Sequence, residues 1–216
     1  TAVPAAGAVV RNPGDPFYRV RLQAAQGGRV WTGRATISFT NLDARPLSSI
    51  YLRLWSNGVD GCAAHAIEVW NLTGGTMGPA ALDCTEVPVT LAAPLDPGER
   101  ANVSMRLRIT LPRRNDRFGF AGGLALVGTA LPTLEVHDDL GWHQDTFEDL
   151  GESFYSVASR YWVTLVAAPD LDTPATGTLV SRRTLDNGLE SRTFAAFGVR
   201  DFAWAAGTLE QAVDTA

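Results

Sequence analysis

Cysteine and histidine supply the strongest metal ligands, bases and nucleophiles, and here they are only Cys62, Cys84, His65, His137 and His143. The two cysteines lie in one Gly-rich segment. Three readings stand side by side: a disulfide closing that segment, two unpaired thiols, or metal ligation. The last lacks a second cysteine pair or a spaced histidine pair. A disulfide closing a loop of this size stabilises by roughly 3 kcal/mol in the chain-entropy model and belongs to an oxidising compartment. It is the pairing expected for the exported protein. His137 and His143 flank Asp138 and Asp139, and two histidines with two aspartates could ligate a metal. The intervening Gly141-Trp142 fits no ligand spacing, and a solvated hairpin tip is the plainer reading.

Other chemistries find even less support. No His-Glu-x-x-His and no Gly-x-Ser-x-Gly occurs. Ser153, in Gly151-Glu152-Ser153, lacks an identifiable base. His65 follows Cys62 closely, yet closeness in sequence does not make a thiolate–imidazole pair. The adjacent acids Glu148-Asp149 and Asp138-Asp139 read as solvated loops rather than a glycosidase pair. Gly122-Gly123 lacks the Lys, the Ser and the helix of a phosphate-cradling loop. These residues are therefore expected to hold no catalytic site, metal or cofactor. The six tryptophans offer a different chemistry. Trp142 lies in a polar turn, and Trp55 and Trp70 lie on strand faces, where aromatics can stack on sugar rings. The competing reading places them at a seam between sheets or at a contact with another domain, and it is preferred.

The elements that must position these groups are strands. Ala35, Ile37 and Phe39 alternate with hydroxyl residues. Ile50, Leu52 and Leu54 share one face, as do Tyr18, Val20 and Leu22, and Tyr161, Val163 and Leu165. From Val103 to Leu111 five apolar residues alternate with Ser, Arg, Arg and Thr, which is a strand with one wet face. Gly27-Gly28, Asp96-Pro97-Gly98-Glu99 and Asp186-Asn187-Gly188 are turn signals. No 3.6-residue apolar stripe lasts three turns, and only Thr208 to Asp214 could pass for a short helix. The reading is all-β: a saddle-shaped, multi-sheet, sandwich-like domain with few or no helices. One domain is expected over residues 1–216, with a long excursion between strands from Asn57 to Glu86.

Composition bounds the partners. Of the residues, 45% are hydrophobic and 19% charged, which is a globular balance. The net charge is −5, and all 18 basic residues are arginines scattered along the sequence. Nucleic-acid binding needs a concentrated basic face, and sequence order gives no hint of one. No apolar stretch approaches the length of a membrane span. Thr1 to Ala8 is small and uncharged, as after a cleaved signal or at the edge of an excised piece, and an exported location is expected.

One ordered series of short blocks goes further. It begins with Gly33 to Asn41, Pro46-Leu47 and Ile50-Tyr51-Leu52-Arg53-Leu54-Trp55-Ser56-Asn57. It continues through Val89-Thr90-Leu91, Pro94-Leu95-Asp96-Pro97-Gly98-Glu99, Leu111-Pro112, Arg117-Phe118-Gly119, Leu131-Pro132, Val136-His137-Asp138 and Gly141-Trp142. Then come Gly151-Glu152-Ser153-Phe154-Tyr155, Tyr161-Trp162-Val163-Thr164-Leu165, Ala175-Thr176-Gly177 and Val199-Arg200-Asp201-Phe202-Ala203-Trp204. Their order resembles the N-terminal domain of bacterial zinc aminopeptidases related to aminopeptidase N and leukotriene A4 hydrolase, from about Tyr18 to Trp204. The resemblance implies a saddle-shaped β-domain preceding a helical, thermolysin-like catalytic domain. The zinc, the general-base Glu and the exopeptidase residues would belong to that following domain. The chain alone would then be inactive, its partners the downstream catalytic domain and the parent's peptide substrate.

In the resembling family a Gln or Glu before the conserved Pro often meets the substrate amine. From Phe118 to Leu131 this sequence has neither, and the first acid afterwards is Glu135. The resemblance thus supplies no residue for that anchor. It does place the loops around Leu131-Pro132 and Gly151 to Tyr155 towards the catalytic domain. Phe118 to Leu131 carries no charge, so a partly exposed apolar patch is expected near Phe120, Leu124, Leu131 and Phe154. Pro132, Glu135 and Glu152 complete the expected interface or cleft wall. The alternative is a free-standing secreted β-sandwich that binds glycan or protein through exposed aromatics.

Overall fold

The computed structural model describes residues 13–148 and 154–210. In chain order its strands are β1 (Gly14–Ala25), β2 (Val30–Thr40), β3 (Leu47–Arg53), β4 (Ile67–Thr73), β5 (Gly75–Met77), β6 (Glu86–Leu95), β7 (Arg100–Thr110) and β8 (Phe118–Ala121). They continue as β9 (Leu124–Val127), β10 (Thr133–Leu134), β11 (His137–Asp138), β12 (Gly141–Trp142), β13 (Ser159–Ala167), β14 (Thr178–Thr184), β15 (Glu190–Val199) and β16 (Trp204–Ala206). Short 3-10 turns at Gln26–Gly28, Trp55–Asn57 and Cys62–Ala64 are the helical elements among the described residues. Thr208 to Glu210 are not helical, and 211–214 lie outside the described residues.

The largest sheet has seven strands in the order β14-β15-β13-β1-β2-β7-β4. The β1–β13 pair is parallel, and the other ladders of this sheet are antiparallel. A four-stranded sheet (β10-β3-β6-β5), a three-stranded sheet (β16-β9-β8) and the β11–β12 hairpin complete the architecture, which is all-β. Alternation sends Tyr18, Val20, Leu22, Ile37, Phe39, Leu107, Ile109, Val163 and Leu165 to one face of the large sheet, where all are buried. They pack against Ile50, Leu52 and Val89 of the four-stranded sheet and Val127 and Trp204 of the three-stranded sheet. Trp31, fully buried, donates Nε1 to the Gly28 carbonyl at 2.7 Å and meets Trp204 edge-on at 5.4 Å. Tyr18 and Tyr161 stack at 4.6 Å, and the Tyr18 hydroxyl accepts the Leu134 N–H, tying β1 to β10. Glycine is required at position 33, because a Cβ there would lie 1.9 Å from the Arg21 carbonyl oxygen.

Two sequence expectations change. The Asn57 to Glu86 stretch is not a bare excursion: it contributes β4 to the edge of the large sheet and β5 to the four-stranded sheet. The Cys62–Cys84 disulfide, Cα to Cα 5.1 Å, closes its base. Buried Asn57 reinforces that closure. Its amide donates to the carbonyls of Ile67 and Cys84, and its Oδ1 accepts the Ile67 N–H at 2.7 Å. Arginines that look scattered in the sequence are also gathered. Arg19, Arg21, Arg34, Arg106 and Arg108 occupy wet positions of adjacent strands and stand together on the outer face of the large sheet.

Candidate interface site

The β3 strand ends in a charge that the chain buries. Ile50 and Leu52 enter the core, so alternation should send Arg53 to solvent; instead the segment after β12 folds over it and the residue is 0% exposed. Arg53 donates Nη2 to the Asp145 carbonyl at 2.7 Å, and its guanidinium lies 3.7 Å from the centre of the Trp55 ring. Nη1 lies 3.2 Å from Glu135 and 3.8 Å from Glu86. Glu86 also accepts two hydrogen bonds from the Gln144 amide. The Glu135 contact is close but poorly aligned, and neither of its oxygens makes a directional hydrogen bond. One cation facing two buried carboxylates leaves one negative charge uncompensated unless a carboxyl keeps its proton. Glu135 is that group. Burial, aided by the Glu86 and Asp145 charges, pushes its carboxyl up to about 8 against the pull of Arg53.

Trp55 carries this cluster to the surface. Its ring meets Phe154 edge-on at 5.6 Å, Phe147 lies 6.1 Å from Phe154, and the Arg117 guanidinium sits 4.6 Å from the Phe154 ring centre. Ser56, Val59, Asp116, Thr129, Phe147 and Phe154 border a cleft of about 430 Å³ beside Arg117. Its floor is held in an uncommon backbone conformation. Thr129 has φ 51°, and its N–H donates to Asp201 at 2.8 Å while Ser56 Oγ lies 3.0 Å from its carbonyl. Burial raises the Asp201 carboxyl, and the Thr129 and Phe202 N–H groups oppose that shift.

Beside the cleft lies the outer face of the three-stranded sheet. The register places Gly119, Leu126 and Ala205 in one row and Ala121 with Leu124 in the next. These residues are small or apolar, and Leu124 and Leu126 are half-buried. A shallow groove of about 510 Å³ runs along this face past Pro174, Ala175 and Ala203 and ends at Arg117, which therefore borders both depressions.

The residues expected to form one patch divide among three places. Leu124 lies on the apolar outer face, and Phe154 lines the cleft. Phe120 pairs with Ala125 on the opposite, core-facing side of the same sheet, because adjacent strand residues point to opposite faces. Leu131, 1% exposed, and Pro132 are buried and cannot contribute to an exposed patch. Glu135 is fully buried against Arg53 and does not reach the cleft. Glu152 lies outside the described residues. Arg53, Glu86, Arg117 and Leu126 join the site through the tertiary fold. Only for Leu126, two positions from Leu124 on an alternating strand, did the sequence carry a usable signal. Trp55 is buried at the sheet seam rather than exposed for stacking.

His143 Nε2 lies 2.8 Å from Asp138, and His137 Nδ1 lies 3.5 Å from Asp43, with Trp142 packed on the His137 ring. Among the described residues no group of three or more His, Cys, Asp or Glu is placed to hold a metal ion, so they do not form a zinc donor set. No described helix is long and apolar enough to cross a membrane.

The fold is similar to part of the fold of solved M1 zinc metallopeptidases. No family model and no curated protein sequence matches the chain. An M1 zinc metallopeptidase mutant from Deinococcus radiodurans superposes with a TM-score of 0.59 at 18% identity, over 91% of this chain and 42% of that one. A two-domain M1 zinc metallopeptidase mutant bound to L-tryptophan gives 0.59 at 17%, over 90% and 42%. A Deinococcus radiodurans M1 mutant bound to a Tyr-Ser-Ala substrate gives 0.59 at 18%, over 90% and 42%. The chain thus spans about two fifths of the length of these structures, and the likeness is one of fold.

Proposed function

We propose that this chain is the non-catalytic N-terminal β-domain of an M1-type zinc metallo-aminopeptidase. Its role is to pack on the catalytic domain and shape one wall of the substrate cleft. The parent hydrolyses N-terminal peptide bonds with a zinc-activated water, the zinc belongs to the catalytic domain, and the protein is exported. The observation that carries the reading is the half-buried apolar face of the three-stranded sheet, continuous with the aromatic cleft at Arg117. Interdomain contacts of about 600–1,500 Å² cover such faces. The fold neighbours supply the kind of partner, since they are M1 metallopeptidases and one holds a peptide substrate. The disulfide agrees with export.

The test mixes this chain with a separately produced catalytic domain encoded by the same gene. Association in solution is expected, and Leu126→Asp with Phe154→Ser is expected to abolish it while both proteins stay folded. Unchanged association would place the contact elsewhere. A gene that encodes no His-Glu-x-x-His after Ala216 would remove the reading altogether.

A further inference from the structure

The outer face of the seven-stranded sheet carries an arrangement that folding does not require. In register across three strands stand Arg21 of β1, Arg34 of β2 and Arg106 of β7, each directly opposite the next. All three are exposed, and among the described residues none has a carboxylate within ion-pair distance. Like charges directly opposite on a sheet face oppose pairing, so the row weakens the sheet that displays it. Adjacent strands lie about 4.8 Å apart, which gives a straight row of guanidinium stems about 10 Å long. Arg19 and Arg108 extend it one step along their strands. The acids near this face are Glu68, beside Arg108, Asp15, held by Arg100 and Arg160 at one corner, and Asp186, which lines a depression with Arg21 and Arg183. A chain of net charge −5 thus presents one broad cationic surface.

We propose that this face binds an acidic polysaccharide, its carboxylates or sulfates meeting the Arg21–Arg34–Arg106 row. Guanidinium forks match such groups bidentately. Immediately beside the row stand the hydroxyls of Thr32, Thr36 and Ser104, with Thr36 Oγ1 and Ser104 Oγ 2.8 Å apart. Neutral donors and acceptors beside fixed cations suit a hydrated sugar chain. A lipid surface would call for apolar anchors interleaved with the cations; the exposed Trp162 and Phe197 stand on β13 and β15, outside the three strands of the row. Trp70 stands opposite Arg106 and Trp162 opposite Arg19, giving a sugar ring a flat surface at either side of the row. The two indoles are four strand steps apart, about 19 Å, too far for the successive base stacking that single-stranded nucleic acid uses. This face is separate from the apolar interface site, and the proposal stands whether or not that site meets a catalytic domain.

The experiment titrates the chain with polygalacturonate and with heparin, read by calorimetry and tryptophan fluorescence. Dextran, oligo-dT and phosphatidylglycerol vesicles serve as comparison probes. The expected result is binding to at least one of the two acidic polysaccharides, weakened by salt and absent with dextran. The triple variant Arg21→Ser/Arg34→Ser/Arg106→Ser is expected to lose about tenfold or more in affinity while melting no lower than the parent, because repulsion has been removed. Arg34→Ser, the centre of the row, serves as the second variant and should lose several-fold. Failure of both polysaccharides to bind overturns the proposal. So does unchanged affinity in the variants, or tighter binding of oligo-dT or vesicles than of either polysaccharide.

Discussion

Replacing Arg53 with leucine isolates what the buried cluster contributes. The substitution removes the one cation beside Glu86 and Glu135, the hydrogen bond to the Asp145 carbonyl, and the guanidinium packed on Trp55. Two carboxyls then share an apolar site with no counter-charge. Removing one member of a buried ion set costs about 3–5 kcal/mol. A domain of this size loses roughly 2–4 °C of melting temperature per kcal/mol, so a fall of about 10 °C is expected at pH 8. The loss should shrink towards pH 5, where Glu135 keeps its proton. Adding Glu135→Leu should restore most of the stability, because Glu86 keeps its two hydrogen bonds from Gln144. The wild type has its own pH signature. Its folded Glu135 holds a proton up to about pH 8, whereas the unfolded chain releases it near 4.5. The contribution from this group is therefore full below about pH 4.5 and fades as the pH rises to about 8. Glu135→Gln should remove that slope and leave the variant the more stable protein at pH 9. Urea denaturation at pH 5, 7 and 9 measures all of this. An Arg53→Leu cost below about 1 kcal/mol, or a double variant no better than the single, would refute the reasoning.

The remaining predictions concern how the long segment and the large sheet are fastened. Cys62→Ser/Cys84→Ser should cost about 3 kcal/mol, with amide exchange rising between Asn57 and Glu86 and little elsewhere. Asn57→Ala leaves the Ile67 N–H and two carbonyls unpaired in a buried place and should destabilise by roughly 2–4 kcal/mol in chemical denaturation. Gly33→Ala forces β1 and β2 apart at the Arg21 carbonyl and should cost roughly 3 kcal/mol; a melting curve matching the parent would contradict the close approach.

Alternation made most of the fold legible. Tyr18, Ile37, Leu107 and Val163 are inward in the sequence and inward in the structure, because a sheet with one wet face writes its orientation into every second residue. The same rule, applied within β8, separates Phe120 from Gly119 and Ala121; reading the whole stretch as one apolar run hid that. The Arg53 cluster was not legible for a different reason. The carbonyl that covers Arg53 belongs to a residue 92 positions away, and no local pattern signals that the wet side of a strand will be roofed. The arginine row was hidden likewise, since its members sit on three strands and become neighbours through pairing alone.

The parallel pairing of β1 with β13 also sets a timetable for synthesis. β1 can pair with β2 as soon as both have left the ribosome, but its other edge must wait for Ser159–Ala167. At about 5–20 residues per second that wait lasts roughly 6–25 s. Throughout it, a twelve-residue strand presents open backbone donors and acceptors along one side. The half-built sheet is then a template for any extended chain nearby, so a nascent-chain chaperone that shields β1 until β13 arrives should raise the yield of folded protein more than any change to the finished surface.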